Sequence, residues 1–384
     1  MEPKTPDVTT EPRLSGRTRS PARRDDLPEA VAGRIPPAAL SAASLVVTDA
    51  FGLKRLLGRI GTADSVGALR SAVADMPGAF VAMTRAGVSA PTTMRAYTTL
   101  CDAIVCRLVG FTLAGLGAPP VPFAWLAFGS GGRGELCLFS DLDNGLAYAD
   151  CDDPAVEDYF RRFALEVNGG LTRCGFALDP HGVVATDPDW RMPVSRWVEV
   201  FADCLPRWDD DAVMRAAIGF DVRQVAGDLQ VVPLLHEVIR QAPRYSRFLL
   251  GMAQLGAEIP SPLGFRRRLK DRVDLKQHGL LPVQNLARYY ACAGGVTQAA
   301  TLDRLAAVRD DGGRGGDVAG PLGEAYEAMA HLFARHQADA HCGGTPPEAP
   351  LDSGSLDAGE RADLQAALRV LGSVQRSLPR RAAF

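Results

Sequence analysis

The stretch Gly129-Ser130-Gly131-Gly132-Arg133-Gly134-Glu135, followed by Ser140-Asp141-Leu142-Asp143, carries the residue types that phosphate chemistry uses. A Gly-Ser pair lets backbone amides and a hydroxyl approach a triphosphate closely, because glycine has no side chain to hold it off. A helix starting just after the pair adds unpaired N–H donors and a partial positive charge. Arg133 can then add a bidentate phosphate contact. Asp141 and Asp143 stand two apart, so on an extended segment their side chains share a face. Two such carboxylates repel unless they share a cation. Mg²⁺ (or Mn²⁺) suits them, being held by one or two carboxylates plus substrate phosphates. It would neutralise an NTP and orient in-line attack on the α-phosphorus. Asp-x-Asp alone is common in solvated turns. Gly129, 12 residues before Asp141, makes it informative, because that interval fits a strand end, a short helix and a return strand.

The surrounding pattern supplies those elements. Residues 122–128 form a short apolar run closed by Gly129, as expected of a buried strand. Residues 131–138 read as a turn and short helix, 144–149 as a second strand and 154–174 as an amphipathic helix. Residues 176–185 read as a third strand interrupted by Pro180. Upstream, Leu53, Leu56, Leu57 and Ile60 form one helical stripe and Leu100, Ile104, Leu108 and Phe111 another. Breaks at Gly61-Thr62, Met76-Pro77-Gly78 and Ser89-Ala90-Pro91 predict three or four helices. From Trp197 onward the pattern is mainly helical. The expected class is α+β, a small mixed sheet flanked by two helical bundles. The expected layout is a disordered tail over 1–37, a helical domain over 38–118, the α/β domain over 119–200 and a helical domain over 201–384.

The chain has 384 residues with 47% hydrophobic and 23% charged, which is enough apolar matter for a globular core. Its net charge of −3 gives no global field for nucleic acid or anionic membrane, although Arg17, Arg19, Arg23 and Arg24 could form a phosphate-attracting arm in a solvated tail. The eight cysteines form no Cys-x-x-Cys pair and sit in apolar surroundings, so they read as free buried thiols. The amino terminus lacks an apolar core for secretion, and no uninterrupted apolar run approaches the roughly 20 residues that span a bilayer. A cytoplasmic protein is expected. His331 and His336 are badly spaced for a shared metal, and His181 reads as a turn residue. Asp209-Asp210-Asp211 read as a helix cap. Asp274 and Lys276 head a helix, where Lys276 could meet a nucleotide or form a salt bridge. Arg266-Arg267-Arg268 read as a solvated face.

The Gly-Ser and Asp-x-Asp elements resemble the DNA polymerase beta-type nucleotidyltransferase superfamily. The fuller pattern, Gly-Ser-Gly-Gly-Arg-Gly-Glu-Leu with Ser-Asp-Leu-Asp-Asn, is similar to a narrower group, the signal-transduction nucleotidyltransferases, and to the nucleotidyltransferase domain of protein-PII uridylyltransferase. Residues 220–228 with their Asp221-x-Arg223 core, Asp274-Leu275-Lys276, Ala287-Arg288, Thr301–Leu305 and Arg335-His336-Gln337 continue the resemblance. The resemblance implies transfer of NMP from an NTP to a hydroxyl, on a regulatory protein, by a uridylyltransferase- or adenylyltransferase-like enzyme. It implies Asp141 and Asp143 as metal ligands, with Gly129, Ser130, Arg133, Glu135, Ser140 and Lys276 around the nucleotide. Family members often carry CBS or cyclic-nucleotide-binding modules upstream; none is evident before residue 38. The superfamily's third carboxylate is expected at Asp179 by order of elements, with Asp187, Asp189 and Asp221 as alternatives. Without that carboxylate, the alternative is a slow or inactive nucleotide-sensing interaction protein.

Overall fold

The computed structural model describes residues 50–264, 268–346 and 349–378. The expected tail over 1–37, with its arginine cluster, lies outside these, as do Arg266 and Arg267. Three helices open the described chain: α1 (Leu53–Thr62), α2 (Val66–Arg85) and α3 (Ala90–Leu116). The break expected at Pro77 is absent, and α2 runs through it. A proline inside a helix removes one backbone hydrogen bond, but Met76, Phe80 and Met83 on either side are fully buried and hold the helix together. By length and composition α3 could cross a bilayer, but 61% of its apolar window is buried inside the protein. It packs on α1 and α2 as a core helix.

The sheet follows: β1 (Phe123–Ala127), β2 (Asn144–Tyr148), β3 (Arg191–Pro193) and β4 (Arg223–Gly227), in spatial order β3-β2-β1-β4. Strand β1 pairs antiparallel with β2 and β4, while β3 runs parallel to β2, so the sheet is mixed. Between β1 and β2 lies the five-residue helix α4 (Gly129–Arg133). Helix α5 (Pro154–Cys174) covers one face, where Phe163 meets Phe123 at 5.1 Å and Trp125 at 6.4 Å between ring centroids. On the other side α6 (Val194–Cys204) stacks Trp197 on Phe128 at 5.7 Å and donates its indole N–H to the Leu146 carbonyl.

No strand forms over 176–185, and β3 comes later. Pro180 and Gly182, with φ +90°, turn the chain there, and a tight turn cannot continue a ladder. The segment still lies along the approach to β2: Leu142 N–H donates to Ala177 C=O at 3.1 Å and Asn144 N–H to Val183 C=O at 2.9 Å.

The remainder is helical: α7 (Asp210–Gly219), α8 (Val232–Gln241), α9 (Ser246–Ala257), α10 (Leu281–Gly294), α11 (Thr301–Asp311), α12 (Gly316–Gly343) and α13 (Ala358–Ser377). A two-stranded ribbon joins β5 (Arg272–Val273) to β6 (Leu351–Asp352). Asp209 caps α7 through Ala212 N–H, as its acidic run suggests. The described cysteines are free. Six are buried, whereas Cys151 and Cys342 are exposed, contrary to the expectation of uniform burial.

Candidate active site

Strand β1 ends at Ala127, whose register partners are Asn144 on β2 and Arg223 on β4. Three strand ends therefore converge where the Gly-Ser turn begins. Phe128 N–H donates to the Asp143 carbonyl at 3.1 Å, tying the residue after β1 to the residue before β2. Gly129 follows with φ +52°, a region that penalises any residue with a Cβ. A Cβ on Gly129 would lie 2.2 Å from Asp143 Oδ2, so the carboxylate fills the space that glycine leaves. Gly132 is as constrained, because its Cβ would fall 1.7 Å from the Asp221 carbonyl oxygen.

Asp141 and Asp143 lie in the segment that leads into β2, not within the strand. Asp179 arrives from the bent segment at Pro180, where its Oδ2 accepts the Val183 N–H at 2.8 Å. The three half-buried carboxylates place ligand oxygens within 4.8 Å of one another. Asp187 instead caps a short turn through Asp189 N–H, and Asp189 pairs with Arg215 at 3.0 Å. Burial pushes the Asp143 carboxyl up to about 7, and repulsion from Asp141 and Asp179 pushes the same way against the pull of Arg133 and Lys276. Three carboxylates without sulfur or imidazole form the donor set of a hard, oxygen-seeking divalent cation.

Arg133 is not positioned as expected. Its guanidinium is buried, with Nε on Glu135 Oε2 at 2.8 Å and Nη1 on Asp221 Oδ2 at 2.6 Å. Its charge still reaches Asp143, but two of its nitrogens brace protein instead of gripping a phosphate. Glu135 is equally committed, since Oε1 accepts the Thr301 N–H at 2.7 Å and Oε2 the Gln284 amide at 3.1 Å. Ser140 Oγ accepts the Cys137 N–H at 3.1 Å and closes the turn before Asp141. The Ser130 carbonyl accepts the Glu135 N–H at 2.8 Å. Lys276 is exposed at the head of a π-helical turn, Lys276–Leu280. Among the described residues it forms no ion pair with Asp274, which caps Gln277 N–H instead.

Behind the turn lies a charged hub that spacing alone does not reveal. Asp221, with 0% of its surface exposed, accepts from Arg133, from Arg288 Nε at 3.0 Å and from Arg304 Nη1 at 2.5 Å. Burial opposes ionisation of Asp221, yet Arg288, Arg304 and Arg133 together hold its carboxyl well below the usual range. Arg223 adds a fork onto Asp102 of α3 at 2.7 and 3.0 Å and donates to Gly131 C=O at 2.8 Å. The Gly-Ser turn is thus fastened to α3 on one side and to α10 and α11 on the other. In the sequence its members stand only within the separate family-like segments around Asp221-x-Arg223, Ala287-Arg288 and Thr301–Leu305, and nothing in their spacing says that they meet.

Residues 74–211 match the family model described as "Putative nucleotidyltransferase DUF294". Residues 246–382 match one described as "Putative nucleotidyltransferase substrate binding domain". No curated protein matches the chain. The first match spans the Gly129 turn and all three carboxylates, and the second spans Lys276, Arg288 and Arg304. On this geometry and these two matches, the chain is built from the paired domains of a nucleotidyltransferase family.

Proposed function

We propose that the protein transfers a nucleoside monophosphate from an NTP to a hydroxyl, on a regulatory protein, with release of pyrophosphate. The observation that carries this reading is the convergence of Asp141, Asp143 and Asp179 within 4.8 Å, against the glycine turn at the end of β1. Asp141 and Asp143 would hold Mg²⁺ or Mn²⁺, with Asp179 completing the set. When bound, the cation would offset the triphosphate's negative charge and steady the α-phosphorus for in-line attack.

The chain's own groups supply the rest. Gly129 and Ser130 allow backbone and hydroxyl to come close to the phosphates. Lys276 adds an exposed positive charge. Asp179 keeps one oxygen on Val183 N–H, which fixes the orientation of the other to receive the proton of the acceptor hydroxyl. Arg133 and Glu135 hold the turn in place. The helices over 246–382 carry the other side of the substrate site, in keeping with the name of the family they match.

The test is incubation of the full chain with labelled NTPs, Mg²⁺ or Mn²⁺ and candidate acceptor proteins. Pyrophosphate release that disappears in Asp141→Asn and Asp143→Asn supports transfer. Metal-dependent NTP binding with no release, across acceptors, refutes transfer and points to a nucleotide sensor.

A further inference from the structure

A cavity of about 200 Å³ lies between the sheet domain and the carboxy-terminal helices, lined by Phe139, Lys276, Gln277, His336, Gln337 and Leu351 among others. Phe139 belongs to the turn that enters Asp141. It is the one non-glycine with positive φ among the described residues, at +62°. That backbone conformation is unfavourable for a residue with a Cβ, and no burial offsets it, because the residue is 48% exposed. Its ring neighbour is His341, at a centroid distance of 6.3 Å.

Across the cavity, Gln337 on α12 is only 6% exposed, and its Oε1 has no hydrogen-bond partner. Buried acceptors are nearly always paired, and each exception asks for an explanation. His336 does not take that role, since its Nε2 is engaged with the Ala349 carbonyl at 2.7 Å. Lys276 stands at the same cavity as Phe139, which lies two residues before Asp141 and so sets this space beside the carboxylates, and the Lys276 charge acts on Asp143. The cavity is smaller than the roughly 300–1,000 Å³ of sites that enclose a whole drug-sized ligand. A single flat ring system is the matching size.

We infer that this cavity receives the base of the nucleoside triphosphate, with Phe139 as its stacking face and Gln337 Oε1 as acceptor for an exocyclic amine. The inference rests on the nucleotidyl-transfer reading above and adds a base preference to it. Adenine N6 and cytosine N4 present an N–H where guanine and uracil present a carbonyl oxygen. With the Gln337 amide in the orientation it has in this structure, two oxygens facing each other leave its acceptor unpaired, so ATP and CTP are favoured over GTP and UTP.

Calorimetric titration of the full chain in Mg²⁺ with ATP, CTP, GTP, UTP and inorganic tripolyphosphate tests this. ATP and CTP should bind about tenfold or more tightly than GTP and UTP, the cost of one buried unpaired acceptor. Gln337→Met should erase that gap without lowering the thermal midpoint, because it removes an unpartnered polar atom. Phe139→Ala should weaken all four nucleotides by roughly tenfold, as loss of one stacking face does, and leave tripolyphosphate affinity alone. Equal affinity for the four bases, a preference for GTP and UTP, or a preference that survives Gln337→Met overturns the base site while leaving the phosphate site standing. Failure of every NTP and of tripolyphosphate to bind overturns both.

Discussion

Gly129 and Asp143 share one volume: a Cβ on the first would sit 2.2 Å from Oδ2 of the second. Gly129→Ala must therefore displace the Asp143 carboxylate, and it also strains a residue held at φ +52°. A displacement on the order of 1 Å at a catalytic centre costs roughly 100-fold in rate. Pyrophosphate release should fall by about that factor, with the far-UV circular dichroism of the wild type retained. Near-normal turnover would mean that Asp143 does not work from the position it occupies.

Asp143 also sets a pH dependence. Its carboxyl is pushed up to about 7 from 3.8, so between those values the native state holds a proton that the unfolded chain has released. In EDTA, stability is then greatest below pH 4 as far as this group is concerned and declines as pH rises toward 7. Cation affinity follows the opposite slope, because the ion must displace that proton. Mg²⁺ titrations should show affinity increasing with pH and levelling near 7, while Asp143→Asn flattens both trends. A cation affinity independent of pH between 5 and 8 would separate Asp143 from the cation.

Much of this centre is legible in the sequence, for a local reason. Gly129, Asp141 and Asp143 are close in the chain, and the strand-turn-strand pattern fixes how they meet. Asp179 is less legible, because its segment is held by a proline turn and by backbone bonds to Leu142 and Asn144, which no periodicity reports. Arg133 shows the limit most clearly. Its spacing suits a phosphate, but its partner Asp221 is 88 residues away, and only the fold decides between the two. Pro77 shows the same limit in the helices, where a local break signal yields to burial of Met76 and Phe80.

Glu135 joins the Gly-Ser turn to α10 and α11 through Gln284 and Thr301. Glu135→Ala leaves the Thr301 N–H and the Arg133 Nε without their acceptor. Each orphaned buried group costs about 1–3 kcal/mol, so the urea midpoint should drop clearly. Glu135→Gln restores the shape and part of the hydrogen bonding, and should recover part of the loss. Identical midpoints for the two variants would show that the bonds to Thr301 and Gln284 contribute nothing.

Asp221 is the stronger case, because three guanidiniums depend on one carboxylate. Asp221→Asn keeps the side-chain size but removes the charge that balances Arg133, Arg288 and Arg304. Breaking a buried ion pair from one side costs about 3–5 kcal/mol, chiefly through the charge left uncompensated. Denaturant unfolding at neutral pH should register a loss of that order, or the variant should fail to accumulate folded. The native carboxyl lies well below its ordinary range, so its contribution is fully present above that range and fades only as acid protonates it. Removing a surplus cation as well, in Asp221→Asn with Arg304→Met, should cost less than the sum of the two single changes. Strict additivity would show that Arg304 and Asp221 stabilise the interface independently, and the hub would then be three separate contacts instead of one coupled network.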